Sequence, residues 1–371
     1  MEPFEFVRDC WYVAGLSREF RTNELTGHVI AGQSLVIWRT GDGKVVAFDN
    51  RCCHKRFPLS EGRVLPNGTL ECAYHGLCYD ARGVCVKIPS HPGSPIPPQA
   101  RVKAFPVVEQ DGMVWVWAGS PERVAKFTPP RTPEVGDDAW ESLDSGPMHV
   151  PANSLLLIEN LLDITHFYPL HDGNIGDYAN SQLDIELIEG EADGYRFVKT
   201  RRHAENYTQP PYFVDWFHYE VVDREHTHCM VSPGLTRVEL HVAPPGKLGT
   251  DEERGYVLLH THTPIDARNH VWRWIVSCRA DHMSHGDPSK SAAKRISEMF
   301  PAVVDQDRWA LEKQQHMFEL PDNGYTELFL KPDKALRRAR QILAQMQHEE
   351  RHGAPAKPAT APMPAAATSQ A

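Results

Sequence analysis

Two Cys/His pairs, Cys52 with His54 and Cys72 with His75, stand on one short segment with seventeen residues between His54 and Cys72. This constrains the fold more than any other feature of the chain. Two thiolates and two imidazoles have to converge from two loops, each loop supplying one of each kind. Zinc also takes Cys2His2 sets, but a zinc finger pairs Cys with Cys and His with His along the chain. The mixed pairs match a [2Fe–2S] cluster in which two Cys hold one iron and two His hold the other. Cys53 is the competitor of Cys52; next to His54 on an extended loop, its side chain is expected to point the other way. Such a cluster moves single electrons, so the remainder of the chain is expected to use them.

At 371 residues there is room for two domains of ordinary size. No run of about eighteen apolar residues is present to span a membrane, and the start, Met1-Glu2-Pro3-Phe4-Glu5-Phe6, lacks the basic and apolar regions of a secretory signal. Thirty-nine basic against forty-nine acidic residues give a net charge of −10, which argues against nucleic acid as a partner. It leaves room for a basic electron donor docking locally. Six of the eight cysteines (Cys10, Cys52, Cys53, Cys72, Cys78, Cys85) lie in the first quarter of the chain. Disulfide frameworks belong to small secreted domains, so a reducing cytoplasm is the expected compartment.

Four regions are expected: an all-β unit over 1–120, a proline-rich linker over 121–145, a second domain over 146–352 and a disordered Ala/Pro tail over 353–371. In the first, the runs 34–40 and 44–49 flank Gly41-Asp42-Gly43, a hairpin signal, and Val114-Trp115-Val116-Trp117 is β-rich. In the second, 154–165 reads as a helix and 196–200, 237–242, 256–263 and 271–278 as strands. A helix is signalled from Asp287 as N-cap with Pro288 at the first position, running toward His316 with a kink at Pro301. A last helix covers about 331–350. His226/His228 and His260/His262 alternate on strand-like runs, so each pair shares a face; either pair is a candidate to line a pocket, exposed or hydrogen-bonded histidines being the commoner case. Phe213, Trp216, Phe217 and Tyr219 are assigned to a core or a pocket wall.

The segments from Arg51 to Gly62 and from Cys72 to Asp80 resemble the Rieske domain of the Rieske non-haem iron oxygenases. Respiratory Rieske proteins carry an extra Cys in each loop, absent here. Position 77 is Leu, where that high-potential class has a serine hydroxyl and many oxygenases have Trp. Fewer hydrogen bonds to cluster sulfur imply a lower potential, hence a reductase and not quinol as donor.

An oxygenase of this kind also needs a mononuclear iron held by two His and one carboxylate. Residues 159–171 resemble the family pattern through Asn160, Asp163, His166 and His171. The two histidines are about 140° apart on a regular helix, too far to share a metal; Pro169 is expected to end the helix and let the chain turn back. Asp163 lies three residues before His166, on the same helical face. By the resemblance it bridges His75 of a neighbouring subunit to His166 as an electron path, with Asn160 near the iron. The segment 304–312 resembles the family's late helix and puts Asp307 in the place of the third ligand. Asp307 also falls on the apolar stripe Val303, Val304, Leu311, where an unpaired carboxylate is costly and a metal would compensate it. Asp305, Glu312 and Glu159 are the alternatives.

The resemblance implies an α+β architecture: an all-β Rieske [2Fe–2S] domain plus a catalytic domain with an antiparallel sheet flanked by helices. It is strongest to the homotrimeric group that includes vanillate O-demethylase, toluenesulfonate methyl-monooxygenase and phthalate dioxygenase. The implied cofactors are the Rieske cluster and mononuclear non-haem Fe(II). The implied partners are O2, a small organic substrate and a separate NAD(P)H-dependent reductase, with or without a ferredoxin; the chain has no GxGxxG loop of its own. The expected reaction is monooxygenation, by hydroxylation or O-/N-demethylation, of an aromatic or methyl-bearing molecule. The rivals are a cis-dihydroxylating ring dioxygenase, an electron-transfer-only Rieske protein, which would leave His166, His171 and Asp307 unexplained, and a zinc-dependent module.

Overall fold

A computed structural model describes residues 5–353 except 173 and 322, so the expected tail beyond Gly353 lies outside the described residues. The N-terminal part is all β. One three-stranded sheet joins Trp11–Leu16, Met113–Trp117 and Val107–Gln110; a four-stranded sheet follows the order Thr26–Ile30, Gln33–Arg39, Val45–Asp49, Ala104–Phe105. The expected hairpin is there, Leu35 facing Asp49 and Arg39 facing Val45. A second four-stranded sheet of very short strands, Arg63–Val64, Leu70–Glu71, Cys78–Tyr79 and Cys85–Lys87, carries the two Cys/His loops at one end.

An eight-stranded sheet dominates the rest, with every pairing antiparallel. Its order is Trp140–Asp144, Asn269–Arg279, Arg254–Asp266, Leu235–Ala243, Val221–Ser232, Tyr195–Thr208, Glu186–Ala192, with Met148–Val150 also on Asn269–Arg279. Both faces are covered. Val257, Leu259 and Ile275 pack toward the N-terminal unit, while the alternate residues Leu258, Trp274 and Val276 pack toward the Ala292–Glu319 helix. Among the described residues no helix is long and apolar enough to cross a membrane.

The N-terminal unit and the large sheet share one core: Trp11, Tyr12, Trp115 and Trp117 lie in the same buried cluster as Tyr195, Val257 and Ile342. Each buried ring of that size is worth about 4–6 kcal/mol of apolar burial. That outweighs the half-exposed ion pair between Arg273 and Glu19 that also joins the two parts.

Several elements depart from expectation. The 121–145 stretch is not free of regular structure: it holds two 3-10 turns, and Trp140–Asp144 is the edge strand of the large sheet. The first helix stops at Leu162, because Asp163 takes extended backbone and its Oδ1 accepts from the Thr165 amide and hydroxyl, a local turn that competes with helix. Asp163 and His166 therefore do not share a helical face. Pro169 does not end a helix either; it lies in the single turn Phe167–Leu170, where its missing N–H costs no bond. The long helix begins at Ala292 with Ser291 as N-cap, not at Asp287, whose carboxylate caps a preceding turn at Ser289; it continues through Pro301 to Glu319.

Candidate metal centres

The two cluster loops have the same backbone design. Cys52 N donates to Phe57 O and Arg56 N to Cys52 O; Cys72 N donates to Leu77 O and Gly76 N to Cys72 O. The fifth residue of each loop is left-handed, Arg56 at φ 58 and Gly76 at φ 71. Cys52 thus matches Cys72, and both sulfur-bearing side chains are buried whereas Cys53 is exposed. Cys53 does not point fully away, however. Residues 53–55 turn instead of extending, which leaves its Sγ 3.2 Å from the Tyr79 hydroxyl, against 3.1 Å for Cys52 Sγ. The His54 and His75 rings meet edge to face at 4.4 Å, and both are exposed beside Tyr74. All eight cysteines are free.

His166, His171 and Asp307 come together at the other site. Among the described residues they are the only three-residue His/Cys/Asp/Glu set whose ligand atoms lie within 4.8 Å of one another. His166 Nε2 is 3.4 Å and His171 Nε2 3.3 Å from Asp307 Oδ1. The Asn160 side-chain amide donates to the same oxygen at 2.9 Å. His171 Nδ1 donates to Gln306 Oε1 at 2.9 Å, which turns its buried Nε2, without a hydrogen-bond partner, toward the Asp307 carboxylate. Two imidazoles with one carboxylate are the facial donor set of non-haem iron.

The charges agree. Burial raises the Asp307 carboxyl, yet His166 and His171 outweigh it and hold it far below the usual carboxylate range. Burial lowers His166, while Asp163 and Asp307 more than offset this and raise it to about 9. Burial also raises Asp163, but His166 and the Thr165 donors bring it below its ordinary value. Asp163 Oδ2 is 3.9 Å from His166 Nδ1. The other acids lie elsewhere: Glu159 is paired with Arg340, Glu312 with Arg308, and Asp305 is exposed.

An apolar cavity opens on the triad, walled by Phe213, Trp216, Leu258 and Phe300 among others. His226, His228 and His260 line it too, buried and hydrogen-bonded; His262 is buried outside it, on Thr236 and the Pro233 carbonyl. Trp272 Nε1 donates to His260 Nδ1 at 3.1 Å. Burial lowers His260 to about 3, so the ring is neutral and carries its proton on Nε2. Tyr219 and Phe217 do not line the cavity.

Residues 10–106 match the family described as Rieske [2Fe-2S] domain, and residues 150–349 match Vanillate O-demethylase oxygenase C-terminal domain. The iron-sulfur subunit of the toluene-4-sulfonate monooxygenase system of Comamonas testosteroni is 28% identical over 94% of this chain and 99% of its own. The oxygenase component of dicamba O-demethylase from Stenotrophomonas maltophilia is 39% identical over 52% of this chain and 56% of its own. A crystal structure of dicamba monooxygenase superposes with a TM-score of 0.83 at 27% identity, covering 94% of this chain and 100% of that one.

Proposed function

Since the chain belongs to the Rieske non-haem iron oxygenases, we propose that it inserts one atom of O2 into a small aromatic or methyl-bearing molecule, by hydroxylation or O-/N-demethylation. The single observation that carries the iron assignment is the pair of imidazole nitrogens facing one carboxylate oxygen at 3.3 and 3.4 Å. In this reading Cys52, His54, Cys72 and His75 hold the cluster, and His166, His171 and Asp307 hold the iron. Bound in these places, a [2Fe–2S] cluster supplies electrons one at a time and a ferrous ion supplies the site where O2 is activated.

The remaining residues position and insulate. Gln306 fixes the His171 tautomer, and Asn160 fixes the carboxylate of Asp307. Phe213, Trp216 and Phe300 keep water from the reacting centre. His260 offers the Nε2–H of a neutral ring to an acceptor atom on the substrate. The exposed rims of His54 and His75 suit transfer to another copy of the chain, with Asp163 as the bridge to His166. The assembly proposed is accordingly a homotrimer, supplied by a separate NAD(P)H-dependent reductase in a reducing cytoplasm. Vanillate and dicamba O-demethylases and a chloroacetanilide N-alkylformylase among the relatives favour attack on a carbon next to oxygen or nitrogen.

The test is a substrate screen with reductase and NADH, following O2 uptake and product. The expected stoichiometry is one NADH and one O2 per product, with one atom of oxygen-18 in a hydroxylated product that does not exchange with water. Two labelled atoms would make the reaction a dihydroxylation instead.

A further inference from the structure

His218 and His285 have no part in the proposed function, and they stand 67 positions apart in the chain. Their rings nevertheless meet. Nδ1 of one lies 2.7 Å from Nδ1 of the other, with the ring centroids 4.2 Å apart and the planes edge to face. Both residues are exposed. Among the described residues neither ring has another hydrogen bond, and neither has a carboxylate within ion-pair distance.

Backbone contacts build this meeting. The short helix Pro211–Phe217 ends on His218, which takes the left-handed region at φ 77 and ψ −20 and donates its N–H to Val214 O at 2.9 Å. Gly or Asn is the usual residue at such an end, so histidine stands there against the preference of the backbone. The facing loop is tied to the same helix on both sides of His285. The Ser284 hydroxyl donates to Asp215 O at 3.0 Å, and the Gly286 amide to the same carbonyl at 2.9 Å. A Cβ at position 286 would strike the Asp215 carboxylate, which Arg295 holds at 2.9 Å. A fixed frame therefore presents the two imidazoles to each other.

Two lone pairs do not face one another at this distance, so in the metal-free chain one Nδ1 carries a proton and donates it to the other. A divalent cation can take the place of that proton. Imidazole nitrogens about 2.0–2.1 Å from one zinc ion stand about 2.8–3.4 Å apart, and the rings reach that range by parting a few tenths of an ångström. We propose that His218 and His285 chelate a divalent transition metal, zinc in the first place, at a site separate from the triad. Solvent at the exposed rings supplies the remaining ligands. The metal would clip the helix that gives Phe213 and Trp216 to the cavity wall onto the loop 284–286. The inference does not depend on the reaction assigned to that cavity.

The test titrates Zn2+ into the full iron-loaded enzyme by calorimetry, beside His218→Asn and His285→Gln, with iron content and Tm measured on each. Asn suits the left-handed backbone at 218, so affinity lost there is not a lost fold. The wild type is expected to bind one Zn2+ per chain and keep its iron. Each variant should lose about tenfold or more in affinity, and Zn2+ should raise Tm in the wild type alone. Mg2+, which prefers oxygen ligands, should do neither. No zinc binding by the wild type overturns the proposal, as does equal affinity in all three proteins. Loss in one variant only overturns the shared chelate. Zinc uptake matched by release of iron overturns it as well, since the metal would then be at the triad.

Discussion

Asp307 Oδ1 has three nitrogens around it, two of them imidazole Nε2 atoms, and two imidazoles with one buried carboxylate are a donor set for a divalent cation. His166→Ala is therefore expected to leave the visible spectrum of the cluster intact while iron content falls by the mononuclear equivalent. Turnover should drop more than about a hundredfold. Iron analysis and NADH oxidation check this; retained mononuclear iron would remove His166 from the ligand set. At this scale much was legible from residue type and spacing. The apolar neighbours of Asp307 on its helix face separate it from Asp305 by sequence alone. Gln306 and His260 were not legible, because what makes them matter is a hydrogen bond to His171 or Trp272, distant in sequence. The shared helical face of Asp163 and His166 failed for a local reason: the Asp163 carboxylate captures the Thr165 N–H and stops the helix.

Among the elements, the hydrophobic strands were the more legible. Only the alternation of His226 and His228 signalled Val221–Ser232, because its buried face carries Arg224, His226 and His228, the polar wall near the iron site. Glu186–Ala192 escaped because it is an acidic edge strand whose Gly190 is covered by the Phe197 ring. The last helix, Lys334–His352, is tied to the N-terminal segment by Glu350, whose Oε1 accepts from Asp9 N at 2.6 Å. Burial raises its carboxyl from 4.5 to about 7, with the Asp9 carboxylate adding to the rise and the Asp9 amide opposing it. Between these values the folded chain binds more protons than the unfolded one, so stability falls as pH rises from 4.5 toward 7. Glu350→Gln keeps the acceptor and loses the titration. Its Tm should match the wild type at the acid end and exceed it above neutrality, by a stability difference of at most about 3 kcal/mol. Parallel Tm curves for the two proteins across that range would contradict the assignment.

For the whole molecule, the issue is which cluster serves which iron. His54 and His75 face solvent, while His171 and Asp307 are buried. If electrons cross between copies, a His75→Ala subunit and a His166→Ala subunit are each inactive alone but complement one another when refolded or exchanged together. Random assortment of equal amounts in a cyclic trimer leaves about a quarter of the subunits with both an iron and a competent neighbour, so about a quarter of wild-type turnover is expected. A mixture as inactive as its parents would mean transfer within one chain. The common core under Trp11, Trp115 and Tyr195 then takes on a kinetic meaning. A cluster-bearing unit cemented to its own sheet cannot swing between a donor and an acceptor as a tethered shuttle does. In the proposed assembly the distance each electron travels is set once, when copies of the chain come together, and the waiting time of a turnover falls on reductase encounter and substrate arrival.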